Sequence, residues 1–125
     1  MQNNKFSEVF VAQNLVTLKE VDSTNTFLKQ LTSNTEPVPE GTVIMAESQT
    51  AGRGQHQNKW YSSTSESLAF SLLLKPDFLP ITQQFDLIRI VSLGVYEALQ
   101  ALVGSQLKVK WPNDIYYDDG KLGGI

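Results

Sequence analysis

Three short stretches hold residue types that could do chemistry. The first, 46–60, reads AESQTAGRGQHQNKW and sets Arg53 between Gly52 and Gly54. Glycines on either side of one arginine let the backbone take positive φ and approach a ligand closely. Successive N–H groups of such a turn can form an anion-binding concavity. A guanidinium there can clamp a carboxylate or phosphate through two parallel bonds. A solvated loop whose arginine makes one ordinary surface contact would have the same composition. The second stretch is Lys108-Val109-Lys110-Trp111-Pro112-Asn113-Asp114-Ile115, followed by Lys121-Leu122-Gly123-Gly124-Ile125. Taken alone, Lys121 reads as a solvated strand lysine, and Asp114 after Asn113 as a turn cap. The third is Ser23-Thr24-Asn25 just ahead of a helical pattern, where a short side-chain oxygen accepts the first free backbone N–H groups.

In this order the three stretches resemble the catalytic domain of biotin protein ligases, from about residue 16 to residue 125. The KWPND run is the most specific part, and AE-x-Q-x-AGRG is nearly as specific. The STN triplet is weak without the other two. The resemblance implies a class II aminoacyl-tRNA synthetase-like, biotin–lipoate ligase fold, present in part. It implies an enzyme that lets the biotin carboxylate attack the α-phosphate of ATP, giving biotinyl-5′-AMP and pyrophosphate. A lysine of a biotin carboxyl carrier protein, part of a biotin-dependent carboxylase, then attacks the mixed anhydride. Bringing two anions together requires fixed positive charge and aimed donors, and the anhydride must be kept from water.

The resemblance distributes these tasks among residues. Arg53 neutralises carboxylate and phosphate, assisted by the backbone N–H groups of Gly52 and Gly54. Lys121 contacts the carboxylate and the α-phosphate, while Gly123 and Gly124 leave room for the flat bicyclic ligand. Ser23, Thr24, Asn25 and Gln49 hydrogen-bond the ureido ring, and Trp60 closes over it; a core aromatic at a strand edge is the other reading of Trp60. Asp114 positions the acceptor lysine, and Lys110, Asn113 and Gln55 stand on the nucleotide side. Mg2+ accompanies ATP through phosphates and water, with no protein ligand assignable. Many family members carry arginine where this chain has Gln55, so weaker retention of the adenylate is expected unless Lys59 compensates.

The elements that must position these groups follow from pattern. Residues 15–21 alternate as a half-buried strand. A helix over 24–32 carries Phe27, Leu28 and Leu31 on one face, with Asp22-Ser23 as its cap. The loop 33–41 contains Pro37 and Pro39, which bar regular pairing. A buried strand over 42–47 delivers the glycine-arginine loop, whose span 48–60 should move without ligand. The run 68–74 is too apolar for an edge and reads as a central strand. Pro76 and Pro80 bracket the connection to the longest helix, 82–103, with Phe85, Ile88, Val91, Leu99 and Leu102 along its buried face and Gly104 as its stop. A strand over 107–111, halted by Pro112, precedes a hairpin turning at Asp118-Asp119-Gly120. The expected class is α+β, a mostly antiparallel or mixed sheet with helices on one face. Residues 1–14 read as a loosely held lead-in, and 15–125 as the N-terminal portion of the catalytic domain. Because the chain stops on a strand-like apolar run at Ile125, it reads as a fragment of a ligase without a DNA-binding domain.

Bulk properties narrow the class. At 125 residues and 41% apolar composition, the chain can bury roughly two-thirds of its unfolded surface. A net charge of −3 gives no reason to expect nucleic acid. The absence of cysteine removes disulfides, thiolate metal sites and a cysteine nucleophile, and fits a reducing cytoplasm. His56, the single histidine, cannot build a histidine metal site. There is no signal-peptide pattern and no apolar run near the ~18 residues of a membrane span. Family members commonly dimerise through the sheet, so a homodimer is expected. Two alternatives stand beside the ligase: a lipoate–protein ligase, disfavoured by KWPND, and a biotin-binding module without turnover.

Overall fold

The computed structural model describes residues 11–34, 36–54, 58–61 and 66–125. The chain forms two compact units, divided in sequence between Lys75 and Pro76. In the first unit, β1 (Leu15–Val21) runs parallel to β2 (Val43–Gln49), and β3 (Ala69–Leu72) is antiparallel to β2. Between β1 and β2 lies helix α1 (Thr24–Thr32). Val16 and Leu18 are half-buried between the exposed Leu15, Thr17 and Lys19, the period of two expected of a strand covered on one face, and the alternation breaks at the exposed Glu20 and half-buried Val21.

Helix α1 begins where the chain offers a cap. Ser23 is extended (φ −157°, ψ 138°) and its Oγ accepts from the Thr26 N–H at 3.1 Å. Asp22 Oδ1 takes the Ser23 N–H at 2.8 Å. Leu28 is buried, with Phe27 and Leu31 half-buried beside it. Together with Val43, Ile44 and Ala46 of β2, Leu28 forms the core of this unit. Leu28, Val43 and Ile44 each contribute about 1.5–3 kcal/mol by leaving water, and Ala46 less.

Three expectations about this unit change. The strand expected over 42–47 runs from Val43 to Gln49, so Gln49 stands on a strand end, not in the loop. The apolar run around β3 is not central. Among the described residues β2 is the central strand, and Phe70 of β3 is 50% exposed. Apolar residues on both strand faces cannot tell a covered strand from an edge, because that is decided by backbone pairing. The end of the lead-in is tied down: Ala12 N–H donates to Gly41 O and Val43 N–H to Asn14 O, both at 3.0 Å, while Asn14 Nδ2 donates to Thr42 Oγ1. Residues 1–10 of the lead-in lie outside the described residues.

The second unit starts with a 3-10 turn (Ile81–Gln83) leading into α2 (Gln84–Val103). An antiparallel meander follows: β4 (Leu107–Lys110), β5 (Asp114–Tyr117) and β6 (Gly120–Gly124). Gly104 ends α2 at φ +86°, a conformation that glycine adopts without a Cβ clash. The face of α2 that packs on β4 and β5 carries Ile88, Val91, Val95 and Leu99 around the buried Ser92. Leu102 is 81% exposed and Phe85 also lies outward, so the expected apolar stripe is shifted. Its heptad step runs through Ser92, a small polar residue that hydropathy alone passes over. Ser92 Oγ donates to Pro112 O at 3.2 Å, across the cis Trp111–Pro112 peptide. Leu107 and Ile115, on adjacent strands, complete the buried centre.

Candidate functional site

In the first unit the motif residues collect where β2 ends and α1 begins. Ser23 and Thr24 are each only 4% exposed, whereas Asn25 faces solvent. Gln49 Oε1 accepts from the Thr24 backbone N–H at 2.8 Å and from Thr24 Oγ1 at 3.2 Å. A backbone N–H can only donate, so the orientation of this amide is determined: oxygen toward Thr24, Nε2 toward Gly52. Thr24 Oγ1 also lies 2.9 Å from Ser71 Oγ. With its own proton given to Gln49, Thr24 accepts the one from Ser71 and keeps a single lone pair. Ser23 Oγ accepts from Thr26 N–H and donates to Thr26 Oγ1, and likewise keeps one lone pair. These hydroxyls can accept from a ligand; they have no proton left to offer it.

The glycine-arginine loop leaves β2 and doubles back on itself. Thr50 and Ala51 donate their N–H groups to Val21 O and Asp22 O, which pins the loop to the end of β1. Arg53 pairs with Lys59 in an isolated antiparallel bridge, framed by Trp60 N–H to Gly52 O at 2.9 Å and Gly54 N–H to Asn58 O at 2.6 Å. Neither Gly52 nor Gly54 has positive φ, contrary to the sequence expectation. Gly52 is needed for closeness instead: a Cβ there would stand 2.6 Å from Trp60 O and 3.0 Å from Gln49 Nε2. The Gly54 N–H, expected to assist a ligand anion, is spent on Asn58. Arg53 Nη2 donates to Thr26 Oγ1 at 2.6 Å. Two cations on paired positions repel each other, an arrangement relieved by an anion. Trp60 is half-buried. Gln55 and His56 lie outside the described residues.

In the second unit, cross-strand register puts Lys108, Lys110, Asp114, Tyr116 and Lys121 on the sheet face opposite to Leu107, Val109 and Ile115. Lys121 Nζ meets Asp114 Oδ1 at 3.0 Å, with side chains 38% and 27% exposed. Lys110 Nζ lies 5.7 Å from the Tyr116 ring centroid, within cation–π range. An open groove of about 400 Å³ borders this part of the sheet, lined by Lys108, Val109, Lys110, Tyr116, Asp118 and Asp119. No atom lies within 4 Å of where a Gly123 Cβ would sit, so the strand beside Lys121 leaves open space. Gly124 pairs with Asp114. Asn113, expected on the nucleotide side, is buried and braces the sheet: its Nδ2 donates to Ile125 O at 3.0 Å, and its carbonyl accepts from the Ile125 N–H.

Sequence reasoning missed Thr26, Ser71 and Tyr116. Ser71 had a signal, as the one polar residue inside LAFSLLL. Thr26 had a weaker one, being the third helical residue after a serine cap.

A family model for the biotin/lipoate A/B protein ligase family matches residues 17–125. The chain is similar to the bifunctional ligase/repressor BirA of Bacillus spizizenii, at 34% identity over 115 residues, 92% of this chain and 34% of that protein. Among solved structures it is similar to the biotin protein ligase from Aquifex aeolicus in complex with biotin and ATP. That likeness has 38% identity and a TM-score of 0.75, over 90% of this chain and 45% of the other. It is also similar to the biotin acetyl coenzyme A carboxylase synthetase from Helicobacter pylori with bound biotinylated ATP, at 32% identity and a TM-score of 0.64, over 89% and 52%. The α+β fold expected from the sequence is the fold of these neighbours. The chain spans about a third of the length of its BirA relative.

Proposed function

The chain belongs to the biotin/lipoate A/B protein ligase family, and on that premise we propose that residues 15–125 are the N-terminal portion of a catalytic domain that activates biotin with ATP. The product is biotinyl-5′-AMP, whose acyl group passes to a lysine of a biotin carboxyl carrier protein. Biotin is favoured over lipoate by its ureido ring, which offers one carbonyl acceptor and two N–H donors. The observation that carries this reading is the polar cluster of Thr24, Gln49 and Ser23. It offers one amide donor, Gln49 Nε2, and two hydroxyl lone pairs. Lipoate has no such ring.

Each remaining residue is given the role that its chemistry allows. Arg53, beside Lys59, neutralises the carboxylate and the phosphate as they approach. Gly52 lets the loop close tightly, and Trp60 covers the ring and excludes water. Lys121 stabilises charge on the carboxylate and α-phosphate, its ammonium held ready by Asp114. When the acceptor lysine arrives, Asp114 positions it. Lys110 draws the nucleotide phosphates. Mg2+ would come with the triphosphate, held largely through phosphate oxygens and water. No helix among the described residues is long and apolar enough to cross a membrane, and we place the reaction in the cytoplasm. Two copies would pair through an open edge of the first sheet, where β1 and β3 each have one strand neighbour among the described residues.

The test is to incubate the chain with biotin, Mg2+ and α-labelled ATP and to resolve labelled biotinyl-5′-AMP. The reading predicts adenylate and pyrophosphate, both lost in Arg53→Ala and Lys121→Ala. Biotin binding without pyrophosphate release would favour a second reading, a binding module without turnover.

A further inference from the structure

Arg53 carries charge that the proposed chemistry needs, yet it is exposed on a loop. A long exposed side chain samples many rotamers, and each must be given up before a ligand can be clamped. The backbone bonds at Gly52 and Gly54 fix the loop, not the guanidinium. One bond does hold it: Arg53 Nη2 to Thr26 Oγ1 at 2.6 Å. Thr26 is itself held by the helix start, because its N–H donates to Ser23 Oγ and its Oγ1 accepts from that same hydroxyl. Two donors therefore converge on one half-buried oxygen, anchored in turn by a buried cap. The first turn of α1 contains no acidic residue, and the N-terminal end of a helix is positive; the acid nearest in sequence, Asp22, has its Oδ1 engaged by the Ser23 N–H at 2.8 Å.

We propose that Thr26 is a positioning residue for Arg53. Its hydroxyl sets the guanidinium at the start of α1, beside Ser23 and Thr24, before any ligand arrives. The cap therefore determines where the loop's charge stands, and an incoming carboxylate meets it already placed. This deepens the biotin reading and rests on it.

Thr26→Val keeps the shape and removes the acceptor, while Thr26→Ser restores the acceptor. Two readouts separate tether from ligand. The first is 15N relaxation of the Arg53 side-chain Nε–H in the 125-residue chain without ligand. It should show an ordered group in the unsubstituted chain and in Thr26→Ser, and a freely averaging one in Thr26→Val. The second is calorimetric titration with biotin. Thr26→Val should bind about tenfold more weakly, the size of one lost hydrogen bond to a charged group, with Thr26→Ser recovering most of the loss. In an Arg53→Ala background, Thr26→Val should add nothing. An Arg53 signal unaffected by Thr26→Val overturns the proposal, and so does an equal loss of binding when Arg53 is absent. A chain that takes up no biotin at all sinks the functional reading, while the Arg53 relaxation still decides the tether.

Discussion

Gly52 and Gly54 flank the same arginine, but only one position demands glycine. At Gly52 a Cβ would press into the Trp60 carbonyl at 2.6 Å, backbone that cannot swing aside; at Gly54 the nearest atoms are at 3.6 Å, ordinary contact. Gly52→Ala should therefore cost about 1–3 kcal/mol by forced displacement and loosen biotin binding. Gly54→Ala should stay within about 0.5 kcal/mol, both read by urea denaturation. The motif made the two glycines look alike, since letters carry no distances. A similar separation applies to Lys121 and Asp114. Their pair is partly exposed, so Lys121→Met should lower stability by less than about 1 kcal/mol while reducing adenylate formation by more than tenfold. A parallel fall in both would make the pair structural. At position 55, Gln55→Arg should slow the release of biotinyl-5′-AMP, because a guanidinium would pair with the bound phosphate. Equal release rates would remove that idea.

The elements were largely readable because their signals are local. The alternation at the start of β1, the Ser23 cap, the Phe27-Leu28-Leu31 face and the turn at Asp118-Asp119, with Gly120 already opening β6, each depend on neighbours a few residues away. What failed was non-local. Whether β3 is flanked on one side or two depends on strands distant in sequence, and the seating of α2 depends on where Ser92 fits against the Pro112 carbonyl. Asn113 belongs to this scale as well. Inside KWPND it looked like a ligand group, whereas the fold uses it to join the start of β5 to the backbone at Ile125. Asn113→Ala removes the donor to the Ile125 O. It should destabilise the second unit by about 0.5–1.5 kcal/mol, visible as an earlier chemical-denaturation transition. A variant as stable as the parent would return Asn113 to the nucleotide.

At the scale of the whole molecule, the proposed function requires this chain to recognise biotin through the polar start of α1. The proposed function rests the choice between biotin and lipoate on the donor and acceptors of Gln49, Ser23 and Thr24. The most direct test is calorimetric titration of the 125-residue chain with biotin, with lipoate as the control and circular dichroism to establish folding. Saturable heat is expected with biotin, none with lipoate, and loss of the biotin signal in Gln49→Ala. A folded chain that gives no biotin heat, or equal heat with both acids, would contradict it.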